Sequence, residues 1–505
     1  MKTKQLNVDE AVARIPDGAT IALTGSGGGL LEADLVFAAL AERFRRTGHP
    51  RDLTLVHALG IGDGKGGGLG HFAQKGMVKR IIGGHWSWAP ELQRMAREGE
   101  IEAYTLPAGV ISTLLREVGA GRPGVITPIG LGTFADPEHG GGKVGPAASE
   151  DIVERIELDG RPYLRYKPIR VDVGIVRGSR ADLHGNISTA DEPADMDAYA
   201  VALAAHNCGG FVIGQVKEIQ NGPFVPARQV TIPGVMVNVL VHHPEQRQSY
   251  AGEYDPAISG QALPKGRAER KEGPSGIRRI IASLAARELK AGMTVNYGFG
   301  IPGGISAVSD PQVISNCWEM VEQGIHNGEL LDGALFGAAR YPQAIVSSLE
   351  QFDFFAGGGL DIAFLGMGEM DAQGNVNVSQ LGASVVGPGG FVEITQGARK
   401  VVFCGSFEAK GLDVAVENGA LRFNSMGEIP KLVDQVRHVT FSGAEAIRRE
   451  QEVFYVTERA IFRLTGEGVE LVAVVKGVDV QRDVIERMAF RPLVRDVAEI
   501  ALAGC

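Results

Sequence analysis

Two segments of this chain, 189 residues apart, repeat each other. Val171-Asp172-Val173-Gly174-Ile175-Val176 is followed by Asp182-Leu183-His184-Gly185-Asn186-Ile187. Leu360-Asp361-Ile362-Ala363-Phe364-Leu365 is followed by Asp371-Ala372-Gln373-Gly374-Asn375-Val376, with matched positions 189 residues apart. Upstream, residues 20–27 resemble 294–300. Downstream, Gly209-Gly210-Phe211-Val212 recurs as Gly389-Gly390-Phe391-Val392, now at an offset of 180. Ordered echoes in a sequence that is not otherwise repetitive imply two related domains. A chain of 505 residues is also too long for one ordinary core.

Within each half, short apolar runs alternate with helical periodicity. Strands are predicted at 19–24, 53–58, 78–83 and 293–297, and helices at 31–46, 90–98, 111–117 and 277–289. This alternation predicts an α/β fold with mostly parallel sheets and helices outside them. Residues 244–276 are rich in Pro, Gly, Gln and charge without lasting periodicity, which is linker behaviour. The expected organisation is therefore a domain over 1–245, a linker over 246–275 and a second domain over 276–505, with 249–260 able to order against either domain.

Glycine is abundant, 70 of 505 residues, about twice the ordinary share of roughly 7%. It clusters at strand ends, as in Gly25-Ser26-Gly27-Gly28-Gly29 and Gly357-Gly358-Gly359, which favours turns that approach a ligand closely. The net charge of −10 and the lack of a long basic run argue against a nucleic-acid partner. Lys265, Arg267, Arg270 and Lys271 alternate with Glu269 and Glu272 and read as a solvated linker. Four scattered cysteines form no C-x-x-C pair, residues 1–15 contain no apolar signal core, and no apolar run approaches the ~18 residues that span a bilayer. The expectation is a cytoplasmic protein with no membrane partner.

Several motifs read as structural. Gly298-Phe299-Gly300-Ile301-Pro302-Gly303 matches the dinucleotide pattern G-x-G-x-x-G after a strand, with Glu319 about 20 residues on. Pro302 and Pro311 break up the helix that would carry a pyrophosphate, however, so a glycine turn packing against some other ligand is expected instead. The two Asp-x-x-Gly-Asn segments read as tight turns closed by their own side chains. His242-His243 has no acidic or thiol partner nearby, and there is no H-E-x-x-H, so no metal site is expected; no G-x-S-x-G elbow occurs either. Cys317 and Cys404 read as core thiols. Glu322 stands apart. It ends an apolar strand upstream of the Gly357–Gly359 run, in one half only, which supplies the parts of a carboxylate nucleophile opposite an oxyanion site.

These residues resemble the family I CoA-transferases, in particular the fused-chain propionate/acetate CoA-transferase group. In the first half the likeness rests on Gly62-Asp63-Gly64-Lys65-Gly66, Val78-Lys79-Arg80-Ile81-Ile82-Gly83-Gly84-His85-Trp86 and Gly132-Thr133-Phe134-Ala135-Asp136-Pro137. In the second it rests on Gln351-Phe352-Asp353-Phe354, Gly357-Gly358-Gly359-Leu360-Asp361, Gly374-Asn375-Val376-Asn377-Val378-Ser379 and Val456-Thr457-Glu458-Arg459-Ala460. The resemblance implies two duplicated open α/β domains with the active site at their interface, and a homodimer or homotetramer. It also implies ping-pong transfer of CoA from a short- or medium-chain acyl-CoA to a carboxylate. The nucleophile matches Glu322, and coenzyme A is a substrate, with no metal or redox cofactor. Gly298, Phe299, Gly300 and Ile301, together with Gly358 and Gly359, are the expected oxyanion donors. Gly389 and Gly390 are expected along the pantetheine channel, and Lys410 against a CoA phosphate.

Where the family usually has Pro-Gln-Gly, this chain has Pro107-Ala108-Gly109, and after Glu322-Gln323-Gly324 it continues Ile325-His326-Asn327-Gly328. Ala108, Gln323, Gly324 and His326 are accordingly expected to shape an acyl pocket larger than, or differently shaped from, one for acetate or propionate. An acyl-CoA hydrolase on the same scaffold and a non-catalytic acyl-CoA sensor remain open readings at this point.

Overall fold

The computed structural model describes residues 3–220, 224–264 and 273–502. The Lys265, Arg267, Arg270 and Lys271 cluster, its Glu269 and Glu272, and Cys505 lie outside these residues.

The first half builds a ten-stranded sheet. Its strands run in the order Lys4–Leu6, Val239–His242, Phe211–Gln220, Val173–Asp182, Thr20–Leu23, Leu53–His57, Val78–Gly83, Glu102–Thr105, Lys143–Val144, with Ile187–Ser188 beside Val173–Asp182. Along that path every pairing but the last is parallel. The second half builds another ten-stranded sheet, ordered Ala344–Ile345, Ile325–His326, Trp318–Val321, Thr294–Tyr297, Ile362–Gly366, Lys400–Cys404, Glu452–Val456, Ala460–Thr465, Gly468–Val475, Leu493–Ile500. Its central pairings, from Trp318–Val321 to Glu452–Val456, are parallel. The strands Thr20–Leu23 and Ile362–Gly366 are buried almost throughout, as parallel strands covered on both faces must be.

The internal repeat is visible in matched hydrogen bonds. Thr20 N–H donates to Asp172 Oδ2 (3.0 Å), and Thr294 N–H donates to Asp361 Oδ2 (2.9 Å). Asn186 Nδ2 donates to Asp182 Oδ2 (2.9 Å), as Asn375 Nδ2 does to Asp371 Oδ2 (3.1 Å). Both asparagines then accept from a distant glycine N–H: Gly234 (2.9 Å) on Asn186 and Gly443 (3.0 Å) on Asn375. These Asp-Asn turns are structural clasps. The third echo is not one. Gly209-Gly210 leads into the strand Phe211–Gln220, whereas Gly389-Gly390 leads into the helix Phe391–Gly397. The strand matching Phe211–Gln220 is Lys400–Cys404, since each lies beside its half's repeated central strand.

One hydrophobic cluster runs through both halves, joining Leu106, Ile111 and Leu115 to Phe352, Phe355 and Val392. Separate clusters cover the outer faces of the two sheets. The helices Ala108–Gly119 and Ser348–Ala356 pack together in the shared layer. Residues 246–264 pack against both halves. Tyr250 N–H donates to Gly28 O (2.7 Å), Tyr250 Oη donates to Glu32 Oε2 (2.7 Å), and Tyr341 N–H donates to Ala257 O (2.7 Å). After Gly298 the chain makes only the short turn Pro302–Gly304 and the helices Ile305–Val308 and Pro311–Ile314, so no long helix follows the G-x-G-x-x-G match. No helix among the described residues is long and apolar enough to cross a membrane. Cys404 is buried, while Cys317 is only partly so.

Candidate active site

Glu322 directly follows the strand Trp318–Val321. The chain then reverses into Ile325–His326, antiparallel to the strand it has just left. Gly324 makes that reversal, with φ +92 and its N–H on Val321 O (3.0 Å). The turn leaves Glu322 at the carboxyl end of its strand, beside the ends of the neighbouring parallel strands at Tyr297-Gly298 and Leu365-Gly366.

A cavity of about 450 Å³ opens there. Its opposite wall comes from the first half, again from residues following parallel strands: Ser26 and Gly27, Leu59 and Gly60, and His85, Ser87 and Trp88. The carboxyl edges of the two sheets thus meet around one space, the usual position for a ligand in open α/β sheets. The described residues lining it include no lysine or arginine.

Glu322 lines the cavity and keeps part of its surface accessible. Its Oε2 accepts the Gly390 N–H at 2.8 Å, and its Oε1 lies 3.4 Å from Gln323 Nε2. Burial pushes the carboxyl up to about 7, against the opposing hydrogen bonds from Gly390 and Gln323. His85, across the cavity, is pushed down to about 4 by burial and by the neighbouring His57, so it faces the site as a neutral imidazole. Asn296 and Gln323 both line the cavity, and Asn296 Oδ1 and Gln323 Oε1 are buried acceptors without a donor among the described residues. Such acceptors carry a desolvation penalty until a donor reaches them. Among the described residues no cluster of His, Cys, Asp and Glu could hold a metal ion.

The residues expected from sequence divide. Glu322, Gln323, Gly298, Phe299 and Gly389 line the cavity, and Gly390 bonds Glu322 directly. Gly300 and Ile301 lie beyond the lining, on the way into the Pro302–Gly304 turn. The Gly298 N–H is engaged by Phe364 O (2.8 Å).

Gly358 and Gly359 do not reach Glu322. Their N–H groups bond Phe355 O (3.1 Å) and Phe354 O (2.9 Å), closing the end of the helix Ser348–Ala356. Gly358 takes φ +90 in that reversal, and Gly359 leaves room for the Phe354 ring, so neither serves an oxyanion there. Lys410 is exposed and pairs with Glu428 at 2.6 Å, away from the cavity.

Ala108 and His326 do not line the cavity either. Ala108 is fully buried, with its N–H on Gly389 O (2.9 Å), and His326 Nδ1 accepts from Trp318 Nε1 (2.9 Å). Gly324 shapes the turn without lining the cavity.

Sequence reasoning did not single out Asn296, Ser26, His85, Ser87, Trp88 or Glu393. Ser26 sits inside the noted Gly25–Gly29 run, and His85 inside a stretch carrying the family resemblance, so both had a signal; Glu393 had none.

Comparison with known proteins bears directly on this geometry. Residues 5–243 match the family described as Coenzyme A transferase. The acetate CoA-transferase YdiF of Escherichia coli (strain K12) is 36% identical over 491 residues, covering 97% of this chain and 92% of that protein. The chain belongs to the coenzyme A transferase family. A second relative of this CoA-transferase is the caffeate CoA-transferase of Acetobacterium woodii, 37% identical over 501 residues, covering 97% of this chain and 95% of that one. The crystal structure of the acyl-CoA transferase YdiF from E. coli O157:H7, as a thioester complex with CoA, matches with a TM-score of 0.94 at 34% identity. The match covers all of this chain and 97% of that one. The CoA-transferase is therefore an enzyme of the fused-chain kind, moving CoA between an acyl-CoA and a carboxylate.

Proposed function

We propose that this CoA-transferase works by a ping-pong mechanism through Glu322. The ionised carboxylate attacks the acyl-CoA thioester carbonyl, forming an acyl-glutamyl anhydride and expelling CoA thiolate. The thiolate attacks the glutamyl carbonyl, releasing the first carboxylate and leaving a glutamyl-CoA thioester. An incoming carboxylate attacks that thioester, and the returning thiolate takes the new acyl group and frees Glu322. Each bond broken matches one formed, and no metal or redox group enters these steps.

The observation that carries this reading is Glu322 itself, set in a cavity between the halves with the Gly390 N–H on one carboxyl oxygen. When thiolate or carboxylate adds to the glutamyl carbonyl, charge develops on that oxygen, and a donor already in place is the most effective stabiliser. Partial burial makes the carboxylate more basic and hence a stronger nucleophile. Walls from both halves hold the reactants together, a contribution worth roughly 7–11 kcal/mol in well-oriented systems. The capture of the E. coli relative as a CoA thioester complex supports the thioester step.

The substrates are a short- or medium-chain acyl-CoA and a carboxylic acid acceptor. With no lysine or arginine among the described lining residues, the acceptor carboxylate is recognised by backbone and neutral polar groups. Acyl size is set by Trp88, His85 and Phe391, which line the cavity, not by Ala108 and His326.

Incubation with an acyl-CoA and a labelled carboxylate tests the proposal. Label entering the acyl-CoA pool is the expected result, whereas release of free CoA regardless of acceptor would make the protein a hydrolase. Borohydride reduction with peptide mapping should place the trapped adduct on Glu322; an adduct elsewhere, or none, overturns the mechanism.

A further inference from the structure

A second carboxyl group lies behind the nucleophile. Glu393 is 2% exposed, on the helix Phe391–Gly397 whose N-cap is Gly390. Its Oε1 accepts the Val110 N–H at 2.9 Å, in the first turn of the first-half helix Ala108–Gly119. Its Oε2 is buried with no partner among the described residues. The Phe352 ring spans from one carboxyl to the other. A Cβ built on Gly109 would meet Phe352 Cγ at 2.6 Å and Glu393 Oε1 at 2.9 Å, while one on Gly390 would meet Phe352 Cε1 at 2.7 Å and Glu322 Oε2 at 2.2 Å.

Resting on the proposed role of Glu322, we propose that Glu393 is a positioning residue: by bonding the first turn of the Ala108–Gly119 helix from the other half, it fixes the Gly390 N–H against the nucleophile. Three backbone bonds align the same segment: Trp86 N–H to Val386 O (2.7 Å), Gly389 N–H to Gly84 O (2.8 Å) and Ala108 N–H to Gly389 O (2.9 Å). Glu393 is the side chain that locks the far end of this seam.

The seam works with Glu393 uncharged. Burial, helped by the charge on Glu322, pushes its carboxyl up to about 8, against its own N–H and those of Val110 and Gly109. The titratable groups facing it are Glu322 and, from the strand Arg161–Tyr166, the Tyr166 hydroxyl, which donates to Ile129 O (2.9 Å) and stays protonated far above neutral pH. Arg116, on the helix Glu393 caps, is taken by Asp353 of the Ser348–Ala356 helix (3.0 Å). Among the described residues no cation compensates a charge on Glu393, so its ionisation sets a second negative group near Glu322 and loosens the seam. Activity should then decline on the alkaline side, near pH 8.

The test compares kcat, KM and pH profiles of Glu393→Gln and Glu393→Ala. Glutamine keeps the acceptor for Val110 but cannot ionise. Alanine should lower kcat roughly 10- to 100-fold with a smaller change in KM, and glutamine should recover at least about tenfold of that loss. Glutamine should also remove the alkaline decline. An alkaline limb unchanged in Glu393→Gln, or an alanine variant with parental kcat, overturns the proposal. Trapping of the CoA adduct on Glu322 is scored in every variant, so a missing adduct in the parent indicts the mechanism and not the role of Glu393.

Discussion

The Gly390 N–H meets Glu322 Oε2 at 2.8 Å, although 68 residues of chain separate them. The space between them admits no side chain at position 390, since a Cβ there would fall 2.2 Å from that oxygen. Gly390→Ala should therefore displace the carboxylate or the Phe352 ring and lower kcat/KM by about 100-fold or more while the fold persists. Steady-state kinetics beside circular dichroism checks this; parental kinetics in a folded variant would remove Gly390 from the site.

The proposed attack requires the Glu322 carboxylate, and burial pushes that group up to about 7. kcat/KM should thus keep climbing with pH through about 7, up to the alkaline decline expected from Glu393, where an exposed glutamate would already have levelled by pH 5–6. Glu322→Gln should abolish transfer. Glu322→Asp should lose at least about 100-fold, because withdrawal by one methylene misplaces the nucleophile by over an ångström. An acid limb centred near pH 4.5 would show that the carboxyl is not desolvated in solution.

The same shift governs stability. A raised value means that the folded chain binds the proton more tightly than the unfolded chain. The stabilisation is therefore complete below the ordinary 4.5 and is lost as pH rises through about 7. Glu322→Gln removes that loss while still accepting from Gly390. It should be more stable than the parent at pH 8 by about 2–3 kcal/mol, the difference vanishing near pH 4. Thermal unfolding at both pH values reads this directly, and equal differences at the two would contradict it.

Trp88 reaches the cavity from the first half. Trp88→Ala should enlarge the acyl space and shift the ratio of kcat/KM for branched or aromatic acyl-CoAs over acetyl-CoA upward by roughly tenfold or more. Competition assays with paired donors measure the ratio. An unchanged ratio would place the acyl group elsewhere in the cavity.

Several features were legible locally. The duplicated Asp-Asn turns, the parallel-strand alternation and the strand-end glutamate each depend on neighbours in sequence, and the structure contains all three. The repeated Gly-Gly-Phe-Val segment misled because four residues do not encode whether a strand or a helix follows. The Gly357–Gly359 run misled for a related reason. Glycine at a strand end suits both ligand approach and helix termination, and only the destination of its N–H groups separates the two; here they close a helix.

By itself, the sequence determined the class of fold, its duplication and a glutamate at a strand end, because side-chain chemistry and hydrophobic periodicity are local properties. Tertiary structure alone decided that Gly390 would hold Glu322, that Glu393 would lie buried behind it and that Trp88 and His85 would wall the cavity. Those outcomes depend on which surfaces of the two halves dock and on how much water the docking removes, and neither is written in the order of residues along either half.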